Sequence, residues 1–374
     1  MKIPFNRTYL SGLEIKYISK CLNSRKTSGD SYFTKKCQTF FSKRYNFESC
    51  MLTSSCTDAL EMTSVLLDIG PGDEVIVPSF TFVSTANAYA LRGASIKFID
   101  SLEDSPNINP NLIEKEITNK TKAIVPIHYA GIACEIYKIL DIANHYGIAV
   151  VEDAAQAIDS FYKQKPLGSF GDFSTFSFHE TKNISSGEGG MLVTNNKRFS
   201  KRAEIVREKG TNRSAFFRGE VDKYNWVDIG SSYLASDITA AYLLGQLENI
   251  SSIQKRRIDI WNKYFNGLKD LEDLGYILLP KITKESIHNA HMFYIVCRSL
   301  EIRSKLQEWL KNIGIQSSFH YQSLHRSPFI KSSQNLPNSD KFSNCLLRLP
   351  LYYELKDSEI ELILNSILDF YVKK

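Results

Sequence analysis

Over the first two thirds of the chain, short continuous apolar runs alternate with helical patterns. The runs are Glu74–Ser79 (EVIVPS), Ser95–Asp100 (SIKFID), Ala123–His128 (AIVPIH), Ala149–Asp153 (AVVED), Phe173–Phe178 (FSTFSF) and Gly190–Thr194 (GMLVT). Several are unbroken Val, Ile and Phe stretches, which suit strands covered on both faces, as in a parallel sheet between helices. Among the helical patterns, Thr57–Leu67 carries apolar residues at 59, 60, 62, 65, 66 and 67 and is stopped by Gly70-Pro71-Gly72. Glu135–Tyr146 has apolar positions at 136, 139, 140 and 143 and ends before Gly147. This β-then-α order predicts a doubly wound α/β domain with a mostly parallel sheet flanked by helices. Ligands of such sheets bind beyond the carboxyl ends of the strands.

From about Ile238 the texture changes. A helical pattern runs to about Leu268, followed by a break at Pro280, a short strand Met292–Cys297, a helix Ile302–Ile313, a polar loop around 327–340 and a final helix Asp357–Val372. This predicts a smaller C-terminal α+β domain, with the chain divided into residues 1–245 and 246–374. The basic cluster Lys255-Arg256-Arg257 on the connecting helix is expected to face water, as charge runs usually do.

Composition narrows the partners. With 46 Lys+Arg against 41 Asp+Glu in 374 residues, the net charge of +5 argues against nucleic acid or a polybasic membrane anchor. Hydrophobic residues at 43% and charged residues at 23% fit a folded protein, not a disordered one. No stretch approaches the roughly 18 apolar residues of a membrane span, and Met1–Arg7 lacks the apolar core of a signal peptide. The seven cysteines (21, 37, 50, 56, 134, 297, 345) include no C-x-x-C pair, which argues against a zinc site or disulfide framework and for a cytoplasmic protein without metal.

The phosphate-binding motifs G-x-G-x-x-G and G-x-x-x-x-G-K-[ST] are absent, as are H-E-x-x-H and G-x-S-x-G. Four strand-end segments remain, each with an ordinary and a chemical reading. Val150–Gln156 ends a strand in Glu152-Asp153, either a cap or strand-end ion pair or an acid holding a cationic ligand group such as a protonated pyridine nitrogen. Phe173–Phe178 leads to His179-Glu180-Thr181-Lys182, and Ser185–Gly190 follows. A lysine after a strand is usually a surface residue, but one in a desolvated pocket is a nucleophile suited to Schiff-base chemistry. Thr53-Ser54-Ser55-Cys56-Thr57 opens a helix, as a simple N-cap or as an anion site. Pro78–Phe82 ends in an aromatic that belongs either to the core or to the face of a flat ring. An anion cradle, a stacking ring, an acid and a lysine at one sheet edge are together what pyridoxal 5'-phosphate requires.

These residues resemble the DegT/DnrJ/EryC1/StrS sugar-nucleotide aminotransferases, which have the aspartate-aminotransferase (fold type I) architecture. The likeness runs from Ile3–Arg7 to Arg348–Leu351. It is carried most specifically by Gly72–Asn87, Val125–Cys134, Ser177–Asn183 (SFHETKN), Arg207–Arg218, Val221–Tyr233 and Asn289–Tyr294 (NAHMFY). The resemblance implies that Lys182 joins the cofactor aldehyde, Asp153 pairs with the pyridine nitrogen, and Gln156 lies near the ring hydroxyl. Cys56, Thr57 and Ser177 would hold the phosphate and Phe82 would stack on the ring. A branch of the family replaces the lysine by His and deoxygenates; Lys182 disfavours that branch here. The family's G-x-N-x-R pattern reads Gly230-Ser231-Ser232-Tyr233-Leu234, so Ser232 stands where an Asn would reach the partner subunit's phosphate.

The implied reaction is transamination between glutamate and a nucleotide-linked 4-keto-6-deoxy sugar in a homodimer with active sites at the interface. The segment with Arg207, Lys209, Arg213, Arg218 and Lys223, with Trp226 close by, is either a solvated loop or the source of cations for the diphosphate. His320, Tyr321 and His325 are either core or surface residues or, as the resemblance implies, part of a loop near the sugar. His128-Tyr129 is read as a buttress for the ring. No partner for the donor carboxylate is evident. Rival readings are transamination at another sugar position or with gluco stereochemistry, a non-catalytic pyridoxal-phosphate protein, and a nicotinamide oxidoreductase, which the missing glycine fingerprint disfavours.

Overall fold

A computed structural model describes residues 2–330 and 332–372. Helices α1 (Leu13–Asn23) and α2 (Tyr32–Tyr45) precede β1 (Cys50–Thr53), α3 (Cys56–Leu66), β2 (Glu74–Pro78), α4 (Val83–Ala90), β3 (Ser95–Ile99), β4 (Thr121–Ile124), α5 (Ile136–Tyr146) and β5 (Ala149–Asp153). A hairpin of β6 (Phe161–Tyr162) and β7 (Lys165–Pro166) leads to β8 (Phe173–Ser177), β9 (Gly190–Thr194), α6 (Ser200–Arg207) and α7 (Arg213–Phe217). The strands form a seven-stranded sheet in the order β1-β9-β8-β5-β4-β2-β3. Pairs β2–β3, β2–β4, β4–β5 and β5–β8 are parallel, while β9 runs antiparallel to both β8 and β1. The fold is thus α/β with a mostly parallel sheet. Strands β8 and β9 are buried at every position, which explains their unbroken apolar runs.

The rest comprises α8 (Asp237–Leu247), α9 (Ile250–Gly267), α10 (Lys269–Asp273), β10 (Ile277–Leu278), β11 (Ser286–Ile287), β12 (Phe293–Cys297), α11 (Leu300–Asn312), α12 (Pro337–Cys345), β13 (Leu346–Leu349) and α13 (Asp357–Val372). Strands β10, β12 and β13 make a second, three-stranded sheet. Ile250 and Ile253 on α9 pack into the core under β8 and β9, whereas Ile260, Trp261 and Tyr264 belong to the core of the small sheet. One helix is therefore anchored in both cores, and the expected division at 245/246 falls in the last turn of α8. Ile3 also belongs to the small core, pairing with Ile315.

Four expectations need correction. The helix expected over 238–268 is two helices, with Asn249 at the break donating from its side chain to the Gly245 carbonyl at 2.9 Å. The apolar pattern runs unbroken across the bend because Leu247 and Ile250 are both buried. The strand expected over 123–128 is regular only over 121–124; Pro126 has no N–H to extend the ladder, and pairing resumes as the isolated bridge Ile127–Asp153. In the basic cluster only Lys255 is exposed: Arg256 reaches Asp357 at 2.9 Å, and buried Arg257 donates to the carbonyls of Ala290 and His291. The segment expected as loop to 340 turns helical at Pro337, a residue whose fixed φ suits a first turn. Asp100 of the large unit accepts from the N–H groups of Asn338 and Ser339 there, at 3.1 and 2.7 Å.

Candidate active site

Asp153 is the last residue of β5, in register with Thr175 of β8. It is 3% exposed and has no cationic partner within ion-pair distance among the described residues. Its Oδ2 accepts from Thr85 Oγ1 at 2.7 Å, and its Oδ1 from the Ala155 N–H at 3.1 Å. Burial pushes this carboxyl above the usual range, while Thr85, Ala155 and the Lys182 charge pull it back. Glu152, which points to the opposite face, accepts from His128 Nε2 at 2.9 Å and from the N–H groups of Gly168, Phe170 and Gly171. His128 Nδ1 lies 3.3 Å from the Cys134 backbone nitrogen; burial opposes its charge, but Cys134 and Glu152 push this imidazole's pKa up to about 10, and it stands as a strut below the site.

Lys182 follows β8 on a turn closed by its own N–H to the His179 carbonyl. Burial lowers its ammonium below the ordinary lysine value; the Arg348 charge pushes the same way, and Asp153 opposes. Lysine and acid therefore feel one another's charge although no ion pair joins them. The next residue fixes the turn. Asn183 donates to Gln254 Oε1 of α9 at 2.8 Å and to the Asn289 carbonyl at 2.7 Å, and His291 Nδ1 lies 3.0 Å from its oxygen. Burial and the charges of Lys182, Arg348 and Arg257 keep His291 neutral by pushing its pKa far down. From the front, Asn6 and Thr8 both donate to the Glu180 carbonyl at 3.2 Å.

At the other end of the pocket, Ser55 caps α3 by accepting the Asp58 N–H at 3.0 Å. The N–H groups of Cys56 and Thr57 are first in the helix and have no partner one turn back. Thr57 Oγ1 meets Ser84 Oγ at 2.8 Å. Gly190, the first residue of β9, lets this helix start sit against the strand: a Cβ there would lie 2.3 Å from the Ser55 carbonyl carbon and 2.4 Å from the Cys56 nitrogen. Ser177 is buried at the end of β8. Phe82, 52% exposed, has its ring 5.7 Å from that of Tyr321. Gln156 accepts the Ala130 N–H and donates to the Tyr321 hydroxyl at 3.0 Å. Cys56, Thr57, Phe82, Asp153, Gln156, Ser177, Lys182 and Tyr321 thus occupy one edge of the sheet.

Other expected residues lie elsewhere. Ser232 is exposed, bridged to Glu208, and its chain neighbour Tyr233 accepts the Ser54 N–H. Arg213 binds Glu208 at 2.5 Å in a groove of about 1360 Å³ between α2, α6 and α7. Lys223 is exposed, and Trp226, 83% exposed, donates to the Asp228 carbonyl. Other expected cations likewise have acidic partners: Arg207 is buried against Asp30 at 2.6 Å, Arg218 is held by Glu204 and Glu220, and Lys209 lies 3.9 Å from Glu208. His325 is buried and bonded to Ser79 Oγ at 2.7 Å. Thr85, Asn183 and Asn289 had no role in the sequence reading, although all three lie in the long segments that carried the resemblance.

The cradle at α3, the glycine-backed approach of β9 and the buried acid facing a lysine suit a phosphate, a ring and a pyridinium. They define the class of pyridoxal-phosphate enzymes with the aspartate-aminotransferase fold. The sequence profile of the DegT/DnrJ/EryC1/StrS aminotransferase family matches residues 9–368, and the chain belongs to that family. It is 32% identical to the GDP-perosamine synthase of Escherichia coli O157:H7 over 377 aligned positions, covering 100% of this chain and 99% of that one. It is 34% identical to the uncharacterized protein MJ1066 of Methanocaldococcus jannaschii over 345 positions, 89% of either chain. The putative sugar aminotransferase Spr1654 of Streptococcus pneumoniae superposes with a TM-score of 0.92 in its PMP form, at 27% identity over 99% of each chain, and is also known in a PLP form. The protein is a PLP-dependent sugar aminotransferase.

Proposed function

We propose that the enzyme moves an amino group from glutamate to C4 of a nucleotide-linked 4-keto-6-deoxy sugar. The substrate we assign is dTDP-4-keto-6-deoxyglucose, and the product is dTDP-4-amino-4,6-dideoxygalactose for bacterial surface polysaccharide. The observation that carries the chemistry is that Lys182, on the turn after β8, and buried Asp153, at the end of the neighbouring β5, feel one another's charge at one edge of the sheet. The sugar assignment rests on the long sequence segments quoted above. A second reading, a GDP-linked 4-keto-6-deoxy sugar, draws on the likeness to GDP-perosamine synthase along the whole chain.

In this reading the bound cofactor supplies the electron sink and the amine carrier. Asp153, kept ready by Thr85 and Ala155, holds a proton on the ring nitrogen. The N–H groups of Cys56 and Thr57, with Ser177, hold the phosphate, and Phe82 covers one face of the ring. Lys182 would hold the aldehyde end of the cofactor, and its amine, whose charge burial disfavours, would carry the donor's α-proton. Such positioned proton transfer contributes roughly 10²–10⁴-fold. Donor and acceptor use one pocket in turn, so ping-pong kinetics follow. Arg213, Lys223 and Trp226 lie away from the Lys182 pocket of their own chain. A homodimer in which they reach the partner's substrate, and Ser232 the partner's phosphate, accounts for that placement; a monomer mass by light scattering would remove it.

The deciding experiment incubates the holoenzyme with glutamate and either dTDP- or GDP-4-keto-6-deoxy sugar, followed by NMR of the product. A 4-amino sugar from the dTDP substrate is expected. Turnover of the GDP substrate alone selects the second reading, and no amino sugar from either overturns both.

A further inference from the structure

The sequence left the amino donor's carboxylate without a partner, and one buried cation has none either. Arg348 lies on β13, opposite Tyr294 of β12 and bridged to Ser318 on its other side. It is 8% exposed. The Phe5 ring lies 5.0 Å from its guanidinium carbon, and Nη1 sits 3.4 Å from His320 Nδ1. Its Nε is buried and bonded to nothing, and no carboxylate oxygen of a described residue lies within 4.0 Å of it. Buried Arg257 provides the contrast: it places its N–H groups on two backbone carbonyls. A guanidinium stays charged and offers five donors, so burying one without an anion is costly.

The location says which anion completes it. His320 precedes Tyr321, whose hydroxyl meets Gln156 and whose ring neighbours Phe82. Arg348 is thereby tied to the large sheet's edge: it meets His320, whose carbonyl accepts from the Tyr129 hydroxyl at 3.1 Å and whose neighbour Tyr321 meets Gln156, and its charge is felt at the Lys182 amine. The cofactor's phosphate is provided for at the start of α3. The acceptor's diphosphate hangs from the sugar's anomeric carbon, across the ring from C4. An amino acid reacting through its nitrogen at the Lys182 position carries its α-carboxylate two bonds away. We infer that Arg348 binds the α-carboxylate of the amino donor through a two-pronged, charge-assisted contact, and that this residue fixes the donor's orientation. The inference rests on the transaminase reading.

The test uses holoenzyme with glutarate, an unreactive carboxylate probe, in calorimetry, and with glutamate in absorbance titration. Arg348→Gln is expected to weaken both by about 100-fold, the scale of two lost charged hydrogen bonds. Cofactor retention and the KM for the keto sugar, measured on the pyridoxamine-loaded protein, stay within about twofold. Arg348→Lys, which keeps the charge but not the fork, loses about 10-fold; it carries the test should the glutamine variant not fold. Unchanged glutarate affinity in whichever variant folds overturns the inference, as does a loss that falls on the keto sugar instead. A wild-type holoenzyme whose absorbance ignores glutamate defeats the transaminase reading, and the glutarate comparison still decides Arg348.

Discussion

Lys182 and Asp153 are both held in environments that penalise their charge, and they relieve one another only in part. Lys182→Ala is expected to abolish the absorbance of the lysine-bound cofactor and to cut turnover by roughly 10³-fold or more, within reach of what a positioned proton carrier contributes; retention of both refutes the assignment. The same substitution has an opposite effect on the empty protein. Because the folded pKa of Lys182 lies below its unfolded value, the ammonium costs stability at pH below the folded pKa, and the cost disappears above the ordinary lysine value of about 10.4. The alanine apoprotein should therefore melt at a higher temperature than wild type at pH 7, a gain that vanishes as pH rises past that value. Asp153→Ala should leave weak cofactor retention and very slow turnover; near-normal turnover would mean that another group protonates the ring. These two residues were singled out because each follows an apolar strand at one sheet edge; alone each also had an ordinary reading, and only their conjunction with the α3 start and Phe82 pointed to a cofactor. Arg348 was not: one arginine in LLRLPLYY reads as an exposed strand residue until the fold shows what surrounds it.

Among the elements, the contact between β9 and the start of α3 sets the cradle. Gly190→Ala forces a Cβ into the Ser55–Cys56 backbone, which cannot rotate away as a side chain can. We expect a loss of about 2–3 kcal/mol in stability and weaker phosphate-dependent retention of the cofactor. A cofactor dissociation constant equal to wild type would show that the α3 N-terminus does not hold the phosphate. Strands covered on both faces were readable from their unbroken apolar runs, and α13 from its period. Strand β1 escaped notice because CMLT is only four residues long and gains its identity by pairing antiparallel with β9. The bend between α8 and α9, and the burial of Arg257, depend on what the helices meet. An apolar period reports that a face is covered, not by which partner, and two polar termini can meet inside a bend without disturbing it.

At the level of the whole molecule, the mostly parallel α/β sheet flanked by helices followed from element order, and with it the expectation of a ligand at the strand ends. How the two units are joined did not. The lysine turn is pinned by Asn183 to Gln254 on α9 and to the Asn289 carbonyl, and Arg257, one turn further along the same helix, grips the 290–291 backbone. Cofactor chemistry on one sheet is thereby indexed to a scaffold shared with the other.

Since α9 is rooted in both cores and Ile3 completes the distant one, the molecule is not severable at its apparent waist. A fragment spanning 246–374 would carry Ile250 and Ile253 bare to solvent and would lack Ile3, so we expect it to aggregate or stay unfolded by circular dichroism. A soluble, cooperatively melting fragment would show instead that the smaller part is autonomous. Without such autonomy, shuffling this C-terminal portion between relatives to change which sugar is accepted would have to move the helix and the first few residues along with it.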